Sequence, residues 1–354
     1  MQWQKGLFLL TITSKDFGNE MTLYSLTNKN GVILKVTDFG ARIVQLAIPT
    51  NKKDLRSIVL GFDSTRDYLE NDLYFGATIG RTAGRIIEGT FTLNNLNYQT
   101  TVDPFTKNTL HGGSPSFESK KWSTQLVQSE PEPAITFCLK SPDGENGFPG
   151  NLTVSVTYTL TDNNECKITY HATADVPSIF NPTNHVYFNL TGDPTQSVAD
   201  HELLIQADEF IPLKSDVTPL GVTKSVENTA FDFQKIKKIK EALDSNDSQI
   251  LMMGGLDHPF ILTNHDLIHP DVLLISPDQT IQLELYTDQP AVVLFSANFS
   301  DSTLTFHDKK LVNHGGLTLE TQIPPGAERF HHFGDLAIRP EKPYDSTTMF
   351  KVIF

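Results

Sequence analysis

Apolar and polar residues alternate along much of this chain. In LTVSVTYTL (152–160), Leu152, Val154, Val156, Tyr158 and Leu160 point one way and Thr153, Ser155, Thr157 and Thr159 the other. That period of two marks a half-buried antiparallel strand. TIQLELYT (280–287) repeats it through Ile281, Leu283 and Leu285, and ECKITYHATA and AVVLFSAN read as further strands. GTFTLNNLNYQT (89–100) reads as a hairpin turning at Asn94-Asn95 between Phe91/Leu93 and Leu96/Tyr98. Helical spacing is rare. STRDYLEN fits a short helix capped by Asp63 or Ser64, and FDFQKIKKIKEALD (231–244) places Ile236, Ile239 and Leu243 at helical intervals. SPDGENGFPGN (141–151) reads as a turn-rich loop. No linker, charge block or repeat divides the chain. The pattern predicts an all-β protein, a large antiparallel β-sandwich with few short helices, forming a single domain over residues 1–354.

Composition narrows the partners. The formal net charge is −14, which disfavours nucleic acid and anionic membrane as ligands and is neutral towards an uncharged one. The two cysteines, Cys138 and Cys166, have no metal-type spacing, which fits a reducing cytoplasm. The apolar run at residues 6–10 is too short for a signal-peptide core or a membrane span. Neither a P-loop nor a GxGxxG fingerprint is present, and no histidines fall at metal-ligand spacing, so neither a metal nor another cofactor is expected. Oligomeric state is not legible.

Five segments place polar residues beside Gly or Pro at the ends of strand-like runs, where a rigid sheet can hold functional groups. GRTAGRI (80–86) carries Arg81 and Arg85; a guanidinium binds hydroxyls or carboxylates, or pairs structurally with a carboxylate. In NTLHGG (108–113), the glycines after His111 suit close approach of backbone to a ligand, or simply a turn. NPTNHVYFNL (181–190) holds Asn184, His185 and Asn189; a buried histidine here needs partners on both ring nitrogens. GGLDHPF (254–260) offers Asp257, alternatively an Asx-turn residue. In GGLTLETQIPPGA (315–327), Leu317 and Leu319 share one strand face and Glu320 takes the other. His331-His332 reads as a surface pair.

Taken together and in this order, GRTAGRI, NTLHGG, NPTNHVYFNL, GGLDHPF and LTLETQIPPGA resemble the aldose 1-epimerase (galactose mutarotase) family over about residues 80–327. The resemblance implies a galactose mutarotase-like supersandwich with a sugar cleft on one sheet. It implies cofactor-free interconversion of the α and β anomers of aldohexoses, with a small sugar as the partner. By motif position His185 matches the general acid and Glu320 the general base, while Arg81, His111 and Asp257 match sugar-binding residues. Such a pair would work with Glu320 ionised and His185 protonated. The sequence departs from the family pattern at three places: Gly84 stands where GR-x-x-NR has Asn, Leu256 follows Gly255 where an aromatic is common, and Pro325 follows Pro324 where Asp is frequent. These departures bear on sugar preference. A non-catalytic sugar-binding module and an epimerase of a phosphorylated hexose or a disaccharide are the competing readings.

Overall fold

The computed structural model describes residues 11–50 and 54–354; the apolar run at 6–10 lies outside them. Three sheets carry the architecture. A five-stranded meander runs from Thr11–Gly18 to Leu55–Ser57. A nine-stranded antiparallel sheet has at its middle Leu152–Leu160, Glu165–Ala174, Tyr344–Ile353 and Gln282–Thr287. A six-stranded sheet orders Tyr187–Phe188, Leu317–Gln322, Ala291–Phe295, Asp257–Leu262, Ala207–Phe210 and Lys224–Ser225.

The alternation seen in the sequence is what joins them. Val154, Val156 and Tyr158 from the large sheet, Leu26, Leu34 and Leu46 from the meander, and Phe260, Leu294 and Leu319 from the six-stranded sheet belong to one apolar cluster. Each such side chain taken from water contributes about 1.5–3 kcal/mol. The Phe188 and Phe350 rings meet at 4.9 Å between the large and six-stranded sheets. Because the period is two, Leu317 and Leu319 facing this core force Thr318, Glu320 and Gln322 to the opposite face of the same sheet. Strand pairing then sets the neighbours on that face: Asp257 lies opposite Phe295 and Phe295 opposite Thr318, while Pro259 lies opposite Val293 and Val293 opposite Glu320.

The hairpin forms as the sequence predicts, Thr90–Leu93 with Leu96–Gln99, with φ of 51° and 63° at Asn94 and Asn95. The helix Thr65–Asn71 takes Ser64 as its cap, Asp67 donating its backbone N–H to Ser64 Oγ at 3.3 Å. The long helix expected at 231–244 is corrected. Only Ile239–Leu243 is helical, and Lys237–Lys238 pairs with the Glu202–Ile205 strand at the end of the large sheet. Ile236 is 49% exposed, so its helical spacing with Ile239 and Leu243 marks no common buried face. A helix at Ser248–Met253, without a clear sequence signal, is capped by Asp247 and ended by Gly254 at φ 67°. Among the described residues no helix is long and apolar enough to cross a membrane.

Candidate active site

A cleft of about 790 Å³, counting its open mouth, lies on the outer face of the six-stranded sheet. His111, His185, Asp257 and Glu320 line it together with Arg85, Tyr74 and Gln322. Four of the five residues singled out from the sequence are therefore gathered at one place.

Arg81 is not among them, and the expectation that it binds sugar is corrected. Its guanidinium is buried and fully engaged elsewhere. Nε donates to Ser141 Oγ at 2.8 Å, one terminal nitrogen to the Pro149 carbonyl and Ser178 Oγ, and the other to the carbonyls of Ser141, Pro142 and Gly150, each at 2.9 Å. Arg81 thus staples the 141–150 loop to the sheet. The chain turns at Gly84, φ 70°, and Arg85 pairs with Leu110 and enters the cleft. Among the described residues the Arg85 guanidinium has no hydrogen bond or ion pair, so its donors are available to a ligand.

His111 is held by that same turn. Its backbone N–H donates to the Gly84 carbonyl at 2.9 Å, and the Gly84 N–H donates to His111 Nδ1 at 3.2 Å. With Nδ1 accepting, the ring proton sits on Nε2, so His111 is a hydrogen-bond donor. The glycines that follow do not make room for a ligand. A Cβ on Gly112 would lie 2.2 Å from the Gly80 carbonyl oxygen, so the close approach is between two segments of the chain itself.

His185 is suspended between backbone bonds: its N–H donates to the Ala77 carbonyl at 2.9 Å and its carbonyl accepts from Gly76 at 3.0 Å. Its Nε2 lies 3.4 Å from Glu320 Oε1. Its Nδ1 has no partner among the described residues, against the expectation of two satisfied nitrogens. The other polar residues of that stretch are structural. Asn184 Nδ2 donates to the Gly76 carbonyl and Tyr158 Oη, and Asn189 Nδ2 to the carbonyls of Asp193, Gln196 and Gly315. Tyr74, at φ 64°, packs its ring 4.6 Å from that of His111 and 5.6 Å from that of His185. His331 and His332 are exposed and do not line the cleft.

Asp257 opens its strand, and its carboxylate makes no hydrogen bond among the described residues, so it is not an Asx-turn residue. Burial pushes it up to about 6, with Arg85 working the other way. Glu320 accepts from Thr318 Oγ1 at 3.0 Å. Gln322, two residues on along the same face, is fully buried with neither amide atom partnered, which the sequence pattern gave no reason to single out.

The sequence and fold as a whole are similar to those of known proteins. Residues 22–351 match the family model for aldose 1-epimerase. The chain is 36% identical to bovine galactose mutarotase over 317 residues, covering 89% of this chain and 90% of the relative. It is 35% identical to the aldose 1-epimerase of Escherichia coli K12 over 340 residues, covering 95% and 96%. The crystal structure of galactose 1-epimerase from Lactobacillus acidophilus superposes with a TM-score of 0.86 at 29% identity, covering 97% of this chain and 99% of that one. The chain belongs to the aldose 1-epimerase family. It is an isomerase of the racemase and epimerase class, on the galactose mutarotase fold.

Electrostatics refines how this epimerase-family site holds its protons. Burial pushes the Glu320 carboxyl up to about 8, with Asp257 adding to the shift and Thr318 and Arg85 opposing it. Burial pushes the His185 imidazole down to about 3. Burial therefore works against an ionised Glu320 facing a protonated His185 in the sugar-free cleft, and favours keeping the pair's one proton on the carboxyl. His111, His185 and Glu320 place ligand atoms within 4.8 Å of one another. The Gly84 bond, which leaves the proton on His111 Nε2, makes that ring a donor on its Nε2 side and not a metal ligand there.

Proposed function

We propose that this protein interconverts the α and β anomers of aldohexoses such as galactose and glucose, with Glu320 as the base at O1 and His185 as the acid at O5. The observation that carries this reading is the 3.4 Å separation of His185 Nε2 and Glu320 Oε1 on a buried cleft wall. O1 and O5 are both bonded to C1, so an acid and a base serving them must stand close together. Ring opening removes the proton from O1 and delivers one to O5. The O1–H electrons form the C1=O1 double bond, and the C1–O5 pair leaves with O5. Rotation about C1–C2 presents the other carbonyl face, and reclosure reverses both transfers. The pair begins and ends with one proton, so no other reactant is consumed. In the empty cleft that proton rests on Glu320; a bound sugar, supplying hydroxyls to the carboxylate, favours its passage to His185.

Arg85, His111 and Asp257 hold ring hydroxyls. Arg85 and His111 Nε2 donate, and Asp257 accepts. The two unpaired cysteines suit a cytoplasmic enzyme of hexose metabolism. Polarimetry of freshly dissolved α-glucose and α-galactose tests the assignment. Glu320→Gln and His185→Asn should each lose about two orders of magnitude or more in turnover. Near-normal rates in either variant would refute that residue's role, and an inactive wild type would favour a non-catalytic sugar-binding module.

A further inference from the structure

Among the described residues, burial lowers the ammonium of two lysines, Lys35 and Lys237, from the ordinary lysine range. Lys237 is compensated: its Nζ donates to the Ala230 carbonyl at 3.3 Å and lies 4.5 Å from the centre of the Phe233 ring. Lys35 has no hydrogen bond, ion pair or ring contact among the described residues. Its place follows from the period of two. Leu34 and Val36 belong to the core, so Lys35 stands on the outer face of the five-stranded meander, opposite Ser25 on one neighbouring strand and Gln45 on the other. There it lines a second pocket, of about 370 Å³ counting its open mouth, together with Lys15, Gln45, Asp63 and His307. The Phe62 and Phe306 rings stack at 4.6 Å, which brings the hairpin carrying His307 against that face. No residue lining this pocket also lines the sugar cleft.

The charges in the pocket do not balance. Lys15 is unpaired like Lys35, and it adds to the lowering of the Lys35 ammonium, with Asp63 opposing. Asp63 is the one carboxyl group among the described lining residues, and His307 Nδ1 holds it at 2.8 Å. The Gln45 amide also has no side-chain partner among the described residues. Ser57 adds no donor, because its hydroxyl donates to the Val59 carbonyl at 3.1 Å. We infer that this pocket binds a phosphate-type oxyanion, free or as a phosphate monoester, between the ammonium groups of Lys15 and Lys35, with the Gln45 amide as a neutral donor. Each ammonium is a compact charge with three donors, suited to a phosphate group. The half-buried position of Lys35 weakens screening by salt. The anion supplies the partner that Lys237 finds in the protein and Lys35 does not. This site is a local exception on an acidic body, and it stands independently of the anomer interconversion.

Isothermal titration calorimetry on the full chain in low-salt Hepes, with inorganic phosphate and with glucose 6-phosphate as probes, tests the inference. Inorganic phosphate should bind one to one with a Kd of about 1 mM or below. Glucose 6-phosphate should bind as well if the pocket takes monoesters, and ten times more weakly or worse if it takes only the free ion. Lys35→Gln should weaken phosphate about tenfold or more and Lys15→Gln about threefold or more, while Lys35→Arg stays within about threefold of the wild type. Without phosphate, Lys35→Gln should melt at or above the wild-type temperature, because it removes an unpaired half-buried charge, and both Gln variants should keep glucose mutarotation within about twofold. Arg85→Leu, in the sugar cleft, should leave phosphate binding unchanged. Failure of both probes to bind, binding unaffected by Lys35→Gln and Lys15→Gln, or loss of phosphate binding in Arg85→Leu would each overturn the inference.

Discussion

Burial disfavours the ionised form of Glu320 in the folded protein, and this has a measurable cost. Its folded value of about 8 lies above its ordinary 4.5 because burial disfavours the charge. Below about pH 4.5 the group is protonated in both states and contributes no pH dependence. As pH rises from there towards 8, the unfolded chain releases the proton and the folded one does not, so stability falls across that window. Glu320→Gln removes the titration and keeps the shape. Thermal melts should therefore show Glu320→Gln gaining stability over the wild type progressively between pH 5 and pH 8, by about 1 kcal/mol or more at the upper end, with little difference at pH 4. An equal difference at both ends would mean that Glu320 ionises freely in the folded protein. Activity should follow the same proton: turnover holds through neutrality and declines above about pH 8, where the pair loses the one proton it must carry.

The two arginines of GRTAGRI show what an element adds to a residue. Both follow a glycine, and nothing local in the sequence separates them. What does is the turn at Gly84 and the pairing of Arg85 with Leu110, which send Arg85 into the cleft and leave Arg81 behind it among the carbonyls of the 141–150 loop. Strands such as Leu152–Leu160 were legible because burial on one face writes a period of two directly into the chain. The placement of Glu320 on the outer face was legible for the same reason. The helix at 231–244 misled because Ile236 has helical spacing but no core to face, and the sheet edge claimed Lys237–Lys238 instead. The neutrality of the His185–Glu320 pair and the orphan amide of Gln322 were out of reach, since burial comes from segments distant in the chain. The arginine assignment has its own check. Arg81→Leu should lower the melting temperature by several degrees, since removing one partner leaves buried carbonyls unpaired, with the KM for galactose changed less than threefold. Arg85→Leu should leave the melting temperature near the wild type and raise KM at least tenfold. The reverse pattern would return Arg81 to the sugar site.

At the scale of the whole molecule, the sheets deliver a polar cleft to a strongly acidic body. The net charge of −14 repels an anion on approach. Among the described residues, Arg85 is the one Lys or Arg in the cleft lining, and it shares that lining with Asp257 and Glu320. A phosphate needs several cations or donors converging on it, and this cleft gives it one guanidinium amid two carboxyl groups. Glucose 6-phosphate should therefore react with a kcat/KM at least about a hundredfold below that of glucose, equivalent to about 2.7 kcal/mol. Two origins contribute, and salt separates them. Long-range repulsion from the surface is screened beyond roughly 8 Å at physiological ionic strength and within about 3 Å at 1 M, so raising salt should recover part of the deficit and leave glucose itself unaffected. The part that salt does not recover belongs to the cleft, and Asp257→Asn should reduce it for the phosphate while impairing glucose. Equal rates for the two sugars at low salt would mean that neither the acidic surface nor the cleft excludes phosphate, and would make a phosphorylated hexose the natural substrate.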